Sequence, residues 1–137
     1  MPTVSYTKVT AGIEPLLEQI NAGSDSWAVA LASSSPASAT FVAGTTDLAT
    51  GGGYTQGGNS AAVSSATQTG GTYKLVLSSP AQWTATGGGF TFRYALLVNS
   101  TNNIVVGYWD YGTAQAVAAG ETVTVTLDGT NGVFQAT

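Results

Sequence analysis

At 137 residues, with three Lys and Arg, seven Asp and Glu and neither His nor Cys, the chain is only 7% charged, against roughly a quarter in an average soluble domain. By itself it cannot supply a Ser-His-Asp triad, a Cys-His dyad, a cysteine-bound zinc, a thiol redox pair or a disulfide, so the reading is that it is not an enzyme. Three cations and a net charge of −4 do not make the phosphate-neutralising stripe of a nucleic-acid binder, and no run approaches the roughly 18 apolar residues of a membrane span.

The length suits one domain, residues 1–137, with enough chain to bury a core without staples. The start, MPTVSYTKVT, lacks the basic-then-apolar layout of a signal peptide, so synthesis and folding in a cytoplasm are expected. A surface as charge-poor as the composition leans on partner surfaces instead of repelling them. That favours a component of an assembly.

Val4, Tyr6 and Lys8 alternate with Ser5 and Thr7, which predicts a short opening strand or arm within residues 1–10. The period then changes: Ile13, Leu16, Leu17 and Ile20 fall at i, i+3, i+4 and i+7, predicting one short α-helix around residues 12–22. Pro15 fits its first turn, Glu14 and Glu18 complement its positive end, and Gly23 could take a left-handed cap. Trp27, Val29 and Leu31 alternate with Ala28, Ala30 and Ala32, so a strand here is expected to be central and covered on both faces. Residues 33–60 keep no sustained period, apart from a short strand at 40–43, and the Gly-rich stretch 42–59 is read as a long loop. Loops of that size without structure of their own are uncommon unless they bind something, the alternative being a surface crossover between two sheets.

A polar strand at 61–68 and an alternating one at 73–77 follow. Trp83 sits in a short segment before Gly87, Gly88 and Gly89. Phe90, Phe92, Tyr94, Leu96 and Val98 then mark one face of a long strand, 100–103 turns, and 104–111 returns with Val105, Trp109 and Tyr111 on the same face. A symmetric turn pairs positions so that Arg93 stands opposite Asp110, a structural cross-strand ion pair. Val123, Val125 and Leu127 form another alternating strand, 128–132 turns, and 133–136 closes the chain. The predicted fold is all-β: mainly an antiparallel β-sandwich of jelly-roll or Ig-like type, with the single helix at 12–22.

Few motifs carry chemistry. The glycines of 51–58 lack the Gly-Lys-Ser/Thr ending and following helix of a P-loop. Glu14 and Glu18 read as a solvated helix face rather than a catalytic carboxylate pair, and 128–132 reads as Asp-Gly and Asn-Gly turn chemistry rather than a calcium loop. No cofactor or metal is expected. Trp83, Tyr108 and Tyr54 could form a sugar-stacking platform, although Trp27 and Trp109 share faces with core residues.

Three stretches together form a pattern: GGGYTQGGNS (51–60), AQWTATGGGFTFRYALLVNSTNNIVVGYWDYGT (81–113) and AAGETVTVTLDGTNGVF (118–134). It resembles a family of small virion proteins of tailed bacteriophages. There a Gly-Tyr-Thr-x-Gly-Gly segment precedes a Trp-Thr strand, an aromatic-Arg-Tyr-Ala hairpin ending in Asp-aromatic-Gly, an Ala-Gly-x-x-x-Thr-Val strand and a final Asp-Gly turn. The resemblance covers most of the chain beyond Ser26, and none of its motifs holds a catalytic residue. It implies a β-rich virion structural protein of the capsid cement or decoration type, located on the capsid surface. The implied partners are the major capsid protein and further copies of the chain, as a homotrimer or alternatively a dimer. A tail, fibre or glycan-binding receptor module is the other reading. The segments least committed to the fold, 1–10 and 42–59, nominate Val4, Tyr6, Phe41, Tyr54, Gln56 and Asn59 as partner contacts.

Overall fold

A computed structural model describes residues 4–12 and 20–137. Of the helix expected around 12–22, residues 13–19, with Glu14 and Glu18, lie outside the described residues, and 20–22 are not helical. On its near side Thr10–Gly12 form a single 3-10 turn. On its far side the Asn21 carbonyl accepts from the amides of Ser24 and Asp25 at 2.8 and 2.9 Å. Gly23 does not take the left-handed conformation expected of a helix cap.

The strands are β1 Tyr6–Lys8, β2 Trp27–Ala32, β3 Asn59–Ser60, β4 Val63–Thr69, β5 Thr72–Leu77, β6 Trp83–Thr84, β7 Phe90–Asn99, β8 Ile104–Val117, β9 Thr122–Val123 and β10 Phe134–Ala136. They form three sheets in the orders β1-β8-β7-β2-β3, β10-β5-β4 and β6-β9. Their pairings are antiparallel, so the chain is all-β over the described strands. Because every residue of β2 is apolar, the strand needs cover on both faces. It lies inside the five-stranded sheet with all six residues buried.

Two expected strands are shorter than their patterns. The one at 40–43 reduces to a bridge between Thr40 and Ile104. The one at 123–127 pairs only through β9, although Val123, Val125 and Leu127 are buried and Thr124 and Thr126 exposed. Beyond the pairing, the Leu127 amide donates to Ser79 Oγ at 2.9 Å, satisfying a group that the ladder leaves open.

The β7–β8 hairpin starts in the expected register, with Asn99 opposite Ile104 and Val98 opposite Val105. Asn103, at φ 55°, supplies the left-handed turn residue, a conformation Asn tolerates better than most. Val106 is then an extra residue, so the next rungs are Leu97 with Gly107, Leu96 with Tyr108, Ala95 with Trp109 and Tyr94 with Asp110. A one-residue slip exchanges the faces of a strand. Trp109 therefore shares a face with Ala95 and Leu97, not with Phe92, Leu96 and Val98 as expected.

A second irregularity follows, because Phe92 pairs with Gln115 and Tyr111 to Ala114 stand opposite Arg93 alone. Gly112, at φ 83°, allows the wide bulge. The Arg93–Asp110 pair forms inside this break: Nε donates to Oδ1 at 2.8 Å and Nη2 to Oδ2 at 3.1 Å. The ion pair is as expected, but the cross-strand neighbour of Asp110 is Tyr94.

One core unites Val29, Leu31, Leu96, Leu97 and Val105 of the large sheet with Leu75 and Leu77 of β5 and the rings of Tyr54, Trp83 and Phe92. Burying each such large side chain contributes on the order of 1.5–3 kcal/mol. Among the described residues two polar side chains are buried, Asp47 and Asn99, the latter at 0% exposure. Its Nδ2 donates to Asp25 Oδ2 at 2.9 Å and its Oδ1 accepts from the Asn102 amide at 3.0 Å, so the hairpin end is pinned to the loop before β2.

Candidate partner-binding surface

The 42–59 segment is irregular, as its composition predicts, yet it is built into the core. Asp47, 6% exposed, accepts from the amides of Gly44 and Gly57 and from the Tyr54 hydroxyl, each at 2.6 Å. The Tyr54 hydroxyl also accepts from the Leu31 amide at 3.0 Å. A second tie to β2 runs from the Leu48 amide to the Leu31 carbonyl at 2.9 Å. Burial and the hydrogen bond to Asp47 both raise the Tyr54 pKa, so the phenol stays a proton donor.

The glycines of this loop serve close packing of backbone on backbone. A Cβ at Gly58 would collide with the Val29 carbonyl, at Gly53 with the Thr84 carbonyl and at Gly52 with the Gly89 carbonyl. The loop thus lies directly on β2, on β6 and on the Gly87–Gly89 turn. The Tyr54 ring stacks on Trp83 with centroids 6.4 Å apart and meets Phe90 at 6.0 Å.

These positions correct part of the expected contact set. Tyr54 and Phe41 are buried, at 1% and 8% exposure, and their rings fill the chain's own core instead of a partner's pocket. Trp83 is 3% exposed, so the proposed sugar platform of Trp83, Tyr54 and Tyr108 does not exist as a surface. Gln56 is exposed, with its amide donating to Thr50 Oγ1 at 3.1 Å. Asn59 is half-buried in β3 and its side chain donates to the Ala81 carbonyl at 2.7 Å.

Val4 is half-buried, while Tyr6 is exposed on β1. Tyr6 pairs with Trp109 and Lys8 with Gly107, and the Tyr6 ring lies 5.1 Å from that of Trp109. It also covers Gly107, where an added Cβ would run into the phenol. The arm is therefore docked on its own chain. Together with residues 39–41, whose backbone pairs beside Asn103 and Val105, it covers the outer edge of β8 as far as Trp109.

Among the described residues, two open surfaces stand next to these segments or on the second sheet. The outer edge of β8 beyond Asp110 carries Gly112, Thr113, Ala114 and Ala116, all exposed and uncharged. The second surface is the outward face of the β10-β5-β4 sheet. Its rungs are Ser65 with Val76, Thr67 with Lys74 and Gln135, and Thr69 with Thr72. With Gly129, Thr130 and Asn131 as a wall, these residues line a groove of about 680 Å³.

The groove is polar and almost neutral, Lys74 being its one cation. Asp128, behind the wall, accepts from the amides of Thr130 and Asn131 at 2.8 Å each and from Asn131 Nδ2 at 3.1 Å. Those amides, Asn131 first, hold its carboxyl below the usual carboxylate range. Its oxygens are committed to the turn, as the turn chemistry predicts. Among the described residues, no three His, Cys, Asp or Glu come together as metal ligands.

The sequence predicts a polar strand at 61–68 but gives no role to it. The alternation Ser65, Thr67, Thr69 was the available signal, since hydroxyls at every second position define one face of a strand. No protein-family model, no curated protein and no solved structure matches this chain.

Proposed function

We propose that this chain is a structural protein of a phage virion, a capsid cement or decoration protein that binds the assembled head through non-covalent contacts. In this reading the five-stranded and three-stranded sheets are the two layers of a β-sandwich, sharing the single core described above. The partners are the major capsid protein and further copies of the chain, and the location is the outer surface of the head.

The observation that supports this most is the character of the open surface. It consists of strand edge, hydroxyl and amide, with few charges and with the large aromatic rings of the loop turned inward. Such a surface gains affinity from main-chain hydrogen bonds and close fit rather than from ion pairs. The motif resemblance supplies the virion context. Re-binding of purified protein to particles stripped of it tests the reading. Occupancy should hold between about 0.05 and 0.5 M salt, a range over which screening of surface charge becomes strong. Loss of binding over that range would contradict it.

A glycan-binding fibre or tail module is the second reading, and the groove on the three-stranded sheet is what favours it. Its hydroxyls, amides and single ammonium suit a polar saccharide, whereas of the aromatic residues suggested for that role Trp83 and Tyr54 are buried and Tyr108 is half-buried. Glycan-array binding that disappears in Lys74→Ala would move the assignment to this reading.

A further inference from the structure

The outer edge of β4 is a regular strand edge without a partner among the described residues. Residues 65–69 pair one for one with Val76 to Thr72 on the β5 side, and no backbone or side-chain hydrogen bond reaches the other side of that stretch. Thr67, Gln68 and Thr69 are exposed. Natural sheets usually protect such an edge with a charge, a proline or a very short strand, and Val63–Thr69, VSSATQT, has neither charge nor proline. The bulge between Val63 and Ser65 blunts only its beginning.

The other edges are poorer templates. β1 and β10 have three residues each and β3 has two, and the open part of β8 is bent by the wide bulge opposite Arg93. The 65–69 stretch is also self-complementary. Turned antiparallel on itself about Thr67, it sets Thr67 opposite Thr67, Ser65 opposite Thr69 and Ala66 opposite Gln68. Hydroxyl pairs of this kind are favourable cross-strand neighbours. Within one strand, Ser65 Oγ and Thr67 Oγ1 already lie 3.4 Å apart.

We propose that β4 is the interface for a second copy of this chain, pairing antiparallel about a two-fold axis at Thr67 to join two three-stranded sheets into one of six. Electrostatics does not oppose it. The charges nearest the axis are the two Lys74 side chains, three strand spacings apart at roughly 14 Å, beyond the Debye length of about 8 Å at physiological salt. A two-fold interface makes a dimer the building unit, in place of the trimer suggested by analogy with other cement proteins. The inference is independent of the virion reading, since it concerns the free protein.

Sedimentation equilibrium of the full chain, from low to several hundred micromolar, tests it. Wild type should dimerise. Thr67→Lys and Thr67→Glu, which place like charges opposite each other at the axis, should each raise the dissociation constant about tenfold or more, and an equimolar mixture of the two should restore the dimer. Circular dichroism of each variant establishes that it is folded. Thr67→Cys should cross-link on mild oxidation, and with no other cysteine in the chain the disulfide reports this contact alone. A wild type that stays monomeric, charged variants that still dimerise, or a folded mixture that does not associate would each overturn the proposal. So would a wild-type dimer whose Thr67→Cys variant fails to cross-link.

Discussion

The Tyr54 hydroxyl donates to the Asp47 carboxylate at 2.6 Å while accepting the Leu31 amide at 3.0 Å, so one phenol ties the glycine-rich loop to the central strand. Tyr54→Phe leaves the Leu31 amide unpaired in the core and removes one of the donors to Asp47. A buried group left without its partner costs on the order of 1–3 kcal/mol, and urea unfolding should show a loss of that size. Asp47→Ala removes the acceptor of three hydrogen bonds and should cost more. A loss of under about 0.5 kcal/mol for either, the size of an ordinary surface substitution, would show that the loop is not anchored this way.

The loop glycines separate into two groups under alanine substitution. Gly57 and Gly58 both have positive φ, and the left-handed conformation costs a non-glycine residue about 1–2 kcal/mol. Space around Gly57 is open, whereas Gly58 rests on the Val29 carbonyl. Gly58→Ala should therefore destabilise clearly more than Gly57→Ala in paired thermal melts. Equal effects would mean that backbone contact with β2 is not what requires Gly58.

The arm is held on β8 by the Tyr6 ring over Gly107. Gly107→Ala places a methyl group where that ring lies, so hydrogen exchange at Tyr6, Thr7 and Lys8 should accelerate while exchange in β2 and β7 stays slow. Unchanged protection at β1 would contradict the docking described for the arm.

Asp110 carries a pH prediction. Its carboxyl is held below the ordinary value, first by the hydrogen bond from Arg93 and then by the Gly112 amide. A depressed carboxylate contributes its stability in full above the unfolded-state value of about 3.9, and loses it as pH falls through the folded-state value. Asp110→Asn should flatten the stability profile below about pH 4 relative to wild type and change it little in shape at neutral pH. Both side chains are more than one-third exposed, so the effect is modest and weakens with salt. An acid limb identical in the variant would rule out this contribution.

The parts of the fold legible in the sequence are those with a period. Apolar residues at every position of 27–32 specify a strand buried on both faces, and β7 is readable to its last residue. The turn also fixes the first two rungs of the hairpin. Beyond them Val106 is one residue too many, and nothing in an alternating pattern distinguishes a bulged strand from a regular one; hence Trp109 lies on the opposite face from the one its spacing suggests. The partner surface was less legible. Tyr54 lies in a segment without a period and Phe41 in a strand pattern too short to show which face is buried, so no pattern assigns either a face. Asp47 is buried by amides that come from its own loop. The glycines mark breaks in the sequence, but the carbonyls that crowd them are distant in the chain. The Arg93–Asp110 pair is legible from the register of the turn, and although the bulges shift that register so that Asp110 stands opposite Tyr94, the long arginine side chain still reaches the carboxylate.

The place we propose for this chain is the head of a phage particle, where neutral contacts hold it. A cryo-EM reconstruction of the virions encoded with it measures that directly. Density for the all-β fold should repeat over the outer surface of the capsid, with open strand edges or the hydroxyl face turned to the shell or to neighbouring copies. Virions that lack the protein, or that carry it only on a tail fibre, would contradict it.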